Sequence, residues 1–191
     1  MEAFLVSTGV VALAEIGDKT QLLAFMLSAR YRKPWPIIVG ILAATLVNHG
    51  LAGMLAEWIT EQFDPQAIAW VLAASFLLMA GWVLVPDKLE AAEEPRWRRI
   101  GVLGTTFVTF FLAEMGDKTQ FATIAMVAQY QHFGAVVLGS TLGMMIANVP
   151  AVLLGDRLAG RLPVRAVRLV AALIFLGLAG FAAVAALGIA L

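Results

Sequence analysis

An eight-residue segment rich in carboxylates occurs twice in this chain and is identical at seven of its eight positions. The first copy reads AEIGDKTQ at 14–21, and the second reads AEMGDKTQ at 113–120. Each copy lies within a strongly apolar stretch, where burying one charged side chain in lipid costs about 3 kcal/mol or more. The acids of the two copies therefore indicate a functional site at membrane depth: Glu15, Asp18, Glu114 and Asp117.

The repeated segment offers only oxygen ligands, which suits a hard divalent cation such as manganese or calcium. If the two copies meet, we expect their hydroxyl and amide oxygens to join the four acids in one dry site: Thr20, Gln21, Thr119 and Gln120. The chain has no cysteine, and His49 is its only histidine at membrane depth, so zinc and copper are poor candidates.

We expect each copy to lie on a helix, because a spacing of three or four residues places Glu15, Asp18 and Lys19 on one helical face. The second copy repeats this spacing with Glu114, Asp117 and Lys118.

A glycine with low helix propensity separates the two acids of each copy, at Gly17 and Gly116. The sequence leaves two roles open for this glycine: the backbone unwinds there, or another helix approaches closely.

A competing interpretation treats each Glu–Lys pair as a salt bridge with a purely structural role. This interpretation is disfavoured because apolar residues could replace such a pair without loss of stability. It would also leave Asp18 and Asp117 unpaired.

Composition indicates an all-α integral membrane protein. The chain has 61% hydrophobic and only 14% charged residues, and its mean hydropathy is +0.89. A spanning helix needs about 20 mostly apolar residues, and the sequence predicts six such stretches: 3–29, 35–57, 66–86, 100–128, 133–156 and 165–190. We expect the first stretch to be a mature helix rather than a signal peptide, since no basic segment precedes it.

A shift of 99 residues superposes the second half of the chain on the first, including both motifs. This repeat predicts two three-helix units, 1–86 and 100–191, joined by a cytoplasmic linker at 87–99. Because three spans reverse the direction of the chain, the second unit should be inverted relative to the first, as in many secondary transporters.

All lysines and arginines outside the motifs fall in connections on one side of the membrane, which the positive-inside rule makes cytoplasmic. Both termini are then outside. The formal net charge is zero, so net charge indicates no nucleic-acid partner. The sequence leaves the oligomeric state open, a homo-oligomer included.

Three other polar residues lie near the middle of the second and fifth stretches: Asn48, His49 and Asn148. We favour interhelical hydrogen bonding for them, with a ligand or proton-carrying role as the alternative. Small residues should mark close helix contacts, at Gly40 with Ala44, Gly139 with Gly143, Gly50 with Gly53, and Gly177 with Gly180.

With its doubled motif, the chain resembles the family of six-helix cation exchangers that carry two E-x-G-D-[KR]-[ST] signatures. That family comprises Golgi calcium/manganese–proton exchangers and bacterial manganese exporters. The resemblance implies that the four motif acids bind the transported cation and that no prosthetic group is needed. The short chain and short linker are similar to the bacterial branch, which implies manganese export across the inner membrane.

Four alternatives remain open at this point. The first is a calcium–proton exchanger of the same family, and the second is an intramembrane acid–base enzyme that uses the paired carboxylates. The third is an exporter of small organic cations, and the fourth is a channel. Four ionised carboxylates and two lysines carry a net charge of −2, so exchange of one divalent cation for about two protons is the hypothesis for coupling.

Overall fold

The computed structural model describes residues 1–85, 100–154 and 164–188, and every regular element within these ranges is helical. The predicted linker at 87–99 lies outside the described residues. The eight helices in the described part of the chain are α1 (Glu2–Glu15), α2 (Lys19–Tyr31), α3 (Pro34–Gln62), α4 (Pro65–Trp82), α5 (Gly101–Glu114), α6 (Lys118–Tyr130), α7 (Phe133–Leu154) and α8 (Val164–Ala186).

Four of the helices are long and apolar enough to cross a membrane, namely α3, α4, α7 and the Arg165–Ala186 part of α8. They coincide with four of the six predicted stretches. The other two stretches, 3–29 and 100–128, are each divided into two helices of 13 or 14 residues. Each of these is shorter than the roughly 20 residues that one crossing requires.

Helix starts follow local sequence rules. The α3 helix begins at Pro34, where the missing proline N–H costs no helical hydrogen bond. The α4 helix begins in the same way at Pro65, after Asp64, whose carboxylate accepts hydrogen bonds from the backbone N–H groups of Gln66 and Ala67 at 3.1 Å.

The helices pack in pairs that repeat between the two halves of the chain. The most extensive contact is between α1 and α7, and the counterparts of these helices, α5 and α3, also pack on each other. The α4 and α8 helices form another extensive contact, where Phe76 and Phe175 stack with ring centroids 6.4 Å apart. These two phenylalanines are themselves 99 residues apart, so the contact joins equivalent positions.

Glycines permit the close approach of α1 to α7 and of α5 to α3. A Cβ atom built on Gly139 would lie 2.5 Å from the carbonyl oxygen of Phe4 and would also overlap Ser7. At the equivalent position, a Cβ on Gly40 would lie 2.9 Å from the carbonyl oxygen of Leu103.

The predicted close contacts at small residues are thus confirmed at Gly40 and Gly139, and also at Gly53 and Gly143. The prediction is wrong at three other glycines, because a Cβ there would meet nothing within 4 Å: Gly50, Gly177 and Gly180.

We predict that Gly139→Ala lowers the thermal stability of the detergent-purified protein, because the new methyl group would overlap backbone atoms of α1. Overpacking of this kind costs about 1–3 kcal/mol. Gly180→Ala is the matched control, since that position is helical and open. Equal melting temperatures for the two variants would contradict the packing described for α1 and α7.

Candidate cation site

The first motif lies at a break between two helices. The α1 helix ends at Glu15, and α2 begins at Lys19. Between them, Ile16 has an extended backbone, Gly17 has a φ of 80°, and Asp18 occupies the N-cap of α2. A positive φ of this size is easily adopted only by glycine, so the glycine permits the break.

The second motif has the same conformation. The α5 helix ends at Glu114, Gly116 has a φ of 75°, and Asp117 is the N-cap of α6. Of the two roles left open for the motif glycines, backbone unwinding is the one observed. The prediction that the acids and lysine of each motif share one helical face is therefore wrong, because the helix ends at the glutamate.

The motif threonines fix the glutamates across the breaks. The Thr20 hydroxyl donates to Oε2 of Glu15, and the Thr119 hydroxyl donates to Oε2 of Glu114 at 2.9 Å. Each threonine therefore orients the carboxylate of its own motif.

The motif glutamines stabilise the same breaks. Oε1 of Gln21 accepts the backbone N–H of Gly17 at 2.9 Å, and Oε1 of Gln120 accepts that of Gly116 at 2.8 Å. Their amide groups reach other helices: Gln21 donates to the Ala147 carbonyl on α7 at 3.0 Å, and Gln120 donates to the Asn48 side chain on α3. The glutamine oxygens predicted as cation ligands are thus bound to the unwound backbone in this structure.

The motif lysines form ion pairs between the two copies. Nζ of Lys19 lies 3.0 Å from Oδ1 of Asp117, and Nζ of Lys118 lies 2.6 Å from Oδ1 of Asp18. The competing interpretation paired each lysine with the glutamate of its own copy, whereas the ion pairs observed join each lysine to the aspartate of the other copy. Each lysine instead compensates a charge on the other half of the chain.

Three of the four predicted acids converge on one point. Carboxylate oxygens of Glu15, Glu114 and Asp117 all lie within 4.8 Å of one another. These side chains are buried, and each has a carboxylate oxygen without a hydrogen-bond partner. Asp18, also buried, is held by Lys118.

Three carboxylates this close repel one another strongly away from water, because the low dielectric constant weakens screening. A divalent cation, or protons, would relieve that repulsion. The arrangement therefore offers carboxylate oxygens of the kind that a hard divalent cation prefers.

The other predicted polar residues serve mainly as helix connectors. The Asn48 amide donates to the Phe111 carbonyl at 3.4 Å, and Nδ1 of His49 lies 2.8 Å from the Ser140 hydroxyl on α7. Interhelical bonding is thus confirmed for Asn48 and His49. It is wrong for Asn148, whose amide donates to the Met144 carbonyl within its own helix at 3.1 Å.

One hydrogen bond at the site could not be predicted from the motif. The Arg168 guanidinium on α8 donates to the carbonyl oxygen of Gly17 at 2.9 Å. In the sequence Arg168 is one of the cations of a basic connection, and nothing in its spacing relates it to the motif.

Comparisons with known proteins identify a family for the chain. The chain matches the family model described as divalent cation/proton antiporter GDT1 over residues 3–91 and 102–189. It is 49% identical over 177 residues to a candidate manganese exporter of Vibrio cholerae, covering 92% of this chain and 88% of that protein.

Other relatives are more distant. Identity is 30% over 193 residues to a GDT1-like protein of Synechocystis, covering 92% of this chain and 93% of that protein. Identity is 24% over 238 residues to the divalent cation/proton antiporter GDT1 of Saccharomyces cerevisiae, covering 92% and 81%. No solved structure matches the chain.

The two ion pairs should differ in their contribution to stability. The Lys118 side chain is 1% exposed, whereas that of Lys19 is 26% exposed. Removing one partner of a fully buried pair costs about 3–5 kcal/mol, and the contribution of a pair falls as water reaches one of its partners. We therefore predict that Lys118→Gln lowers the melting temperature more than Lys19→Gln does.

The double variant Lys118→Gln/Asp18→Asn should recover part of the lost stability, because it also removes the carboxylate charge that Lys118 balances. Equal losses for the two lysine variants, or no recovery in the double variant, would contradict the proposed difference between the pairs.

Proposed function

Because this chain belongs to the GDT1 family of divalent cation/proton antiporters, we propose that it exports manganese from the cytoplasm in exchange for protons. The observation that carries this proposal is the convergence of Glu15, Glu114 and Asp117, whose carboxylate oxygens lie within 4.8 Å of one another. These acids come from both motifs, so a cation bound among them would contact both halves of the chain.

Two observations favour manganese over calcium. The relative from Vibrio cholerae is described as a candidate manganese exporter. In addition, Thr20 and Thr119 already donate to one oxygen each of Glu15 and Glu114. Fewer carboxylate oxygens then remain for the cation, which suits a coordination number of about six, completed by water, better than the 6–8 oxygens that calcium takes.

We also propose that the chain crosses the membrane six times. In this arrangement the broken pairs α1/α2 and α5/α6 form one span each, and α3, α4, α7 and α8 supply the other four. The equivalent contacts of α1 with α7 and of α5 with α3 support two inverted repeats, 1–86 and 100–191. Discontinuous helices that face each other at the midplane are a recurrent way of building transporter sites.

The distribution of basic residues supports a cytoplasmic location for the connection at 87–99 and an outer location for both termini. The short chain and short linker, which resemble the bacterial branch of the family, favour the inner membrane.

Aspartate–lysine pairing suggests how cation binding is accommodated. In the structure each motif aspartate is paired with the lysine of the other copy. A bound cation would attract the carboxylate of Asp117, and then that of Asp18. These aspartates would then separate from their lysines. The ammonium groups thus act as counter-charges for aspartates that the cation does not occupy.

Charge balance supports proton exchange. With all groups ionised, the four acids and two lysines carry a net charge of −2. If the site is empty, its charge of −2 makes the change between the inward-facing and outward-facing states unfavourable in free energy, because the charge lies away from water. One bound divalent cation would neutralise this charge while the site changes to face outward. About two protons would neutralise it while the site changes back to face the cytoplasm.

The intramembrane-enzyme alternative is set aside because the family is one of transporters. The two motifs also have matching backbone and hydrogen bonds. A twofold arrangement of that kind suits one shared ion better than the unequal roles of an acid and a base.

We predict that Glu15→Gln, Glu114→Gln and Asp117→Asn each reduce manganese uptake into proteoliposomes by about 100-fold or more, because each change removes a charged ligand. Glu57→Gln is the control, since Glu57 is an exposed acid on α3. Monodisperse elution in detergent would show that each variant is folded. Near-normal flux in two or more of the three site variants would refute the shared site.

We further predict that an imposed pH gradient drives manganese flux and that an imposed membrane potential barely affects it. The physical reason is that exchange of one divalent cation for two protons moves no net charge. Potassium-loaded proteoliposomes with valinomycin allow the potential to be varied at fixed pH. Flux that rises with the potential under those conditions would show a different stoichiometry.

A further inference from the structure

The break in the first motif is bound by an arginine that is distant in sequence. Arg168, in the first turns of α8, donates to the carbonyl oxygen of Gly17 at 2.9 Å. Gly17 lies between the two acids of its motif, at the point where α1 and α2 separate. The contact therefore joins α8 directly to the unwound backbone of the site.

Such a bond has a physical rationale on both sides. Interrupting a helix frees backbone carbonyl groups, which need partners away from water. The guanidinium group remains charged under all ordinary conditions and carries five N–H donors. A permanent positive charge beside a cation site also repels an approaching cation.

The second break, at Gly116, has no arginine at the equivalent position of the sequence. The residue 99 positions before Arg168 is Ala69, whose side chain has no hydrogen-bond donor. The two backbone breaks also differ in exposure. Gly17, which Arg168 contacts, is half-buried, whereas Gly116 is exposed. The two halves otherwise match closely at the motifs, so this contact is a difference between the first break and the second.

We propose that Arg168 is a positioning residue that latches α8 onto the Gly17 break and closes the cytoplasmic side of the site. The direction of this closure rests on the proposed function and topology, which place the start of α8 at the cytoplasmic face. A cation enters from the cytoplasm when the Arg168–Gly17 bond opens. In the part of the chain that the structure describes, no arginine bonds the Gly116 break in this way, so access from the two sides is controlled differently.

Cysteine labelling tests the latch without requiring transport, because the chain contains no native cysteine. The probe is Ile16→Cys, at a half-buried position next to Gly17, treated with a membrane-impermeant thiol reagent in inside-out vesicles. Adding Arg168→Gln should raise the labelling rate about tenfold or more, since a hydrogen bond to a charged group is lost. Arg168→Lys should give an intermediate rate, because lysine keeps the charge but has a shorter reach.

Two matched controls separate the latch from a general effect of charge. Arg165→Gln removes the same charge from an exposed position on the same helix and should leave Ile16→Cys labelling unchanged. Labelling of Met115→Cys, at the equivalent position of the second break, should not respond to Arg168→Gln. If Arg168→Gln does not fold, the intermediate rate of Arg168→Lys carries the test.

Unchanged labelling of Ile16→Cys in the Arg168 variants would overturn the latch, as would an equal increase with Arg165→Gln. Manganese flux measured on the otherwise native chain separates this result from the proposed function. Normal flux with unchanged labelling rejects the latch alone, whereas absent flux with increased labelling rejects the transport proposal and retains the latch.

Discussion

The electrostatic cost of holding several carboxylates together away from water is the constraint on which the rest of this structure depends. Glu15, Glu114 and Asp117 are buried within 4.8 Å of one another. Their mutual repulsion must be offset by nearby positive charge, by hydrogen bonds or by a bound cation. The lysines and threonines of the motif supply the first two, and the carboxylate oxygens left without hydrogen-bond partners provide the place for the third.

Duplication of the motif is the way in which this chain meets that constraint. Lys19 compensates Asp117 and Lys118 compensates Asp18, so each half supplies the counter-charge for the other. Each of these ion pairs therefore joins the two halves of the chain. The ion pairs, like the close contacts of α1 with α7 and of α5 with α3, therefore require the two halves to be packed together.

Much of this arrangement could be predicted from the sequence, because apolar length, small residues and a repeated motif are local signals. The helical class, the four long helices and the close contacts at Gly40 and Gly139 follow from them. Pairing between the motifs could not be predicted, since helical spacing relates a lysine only to residues of its own segment. The low helix propensity of Gly17 did not distinguish unwinding of the backbone from close packing of helices. The hydrogen bond from Arg168 depends entirely on tertiary structure.

The central claim is that the two motifs build a single cation site. Anomalous X-ray scattering at the manganese absorption edge, measured on crystals of the manganese-loaded protein, would test it most directly. We expect one strong manganese peak in each molecule, bounded by the carboxylates of Glu15, Glu114 and Asp117 together. Two separate peaks, each coordinated by the acids of one motif, or a peak away from both motifs, would contradict it.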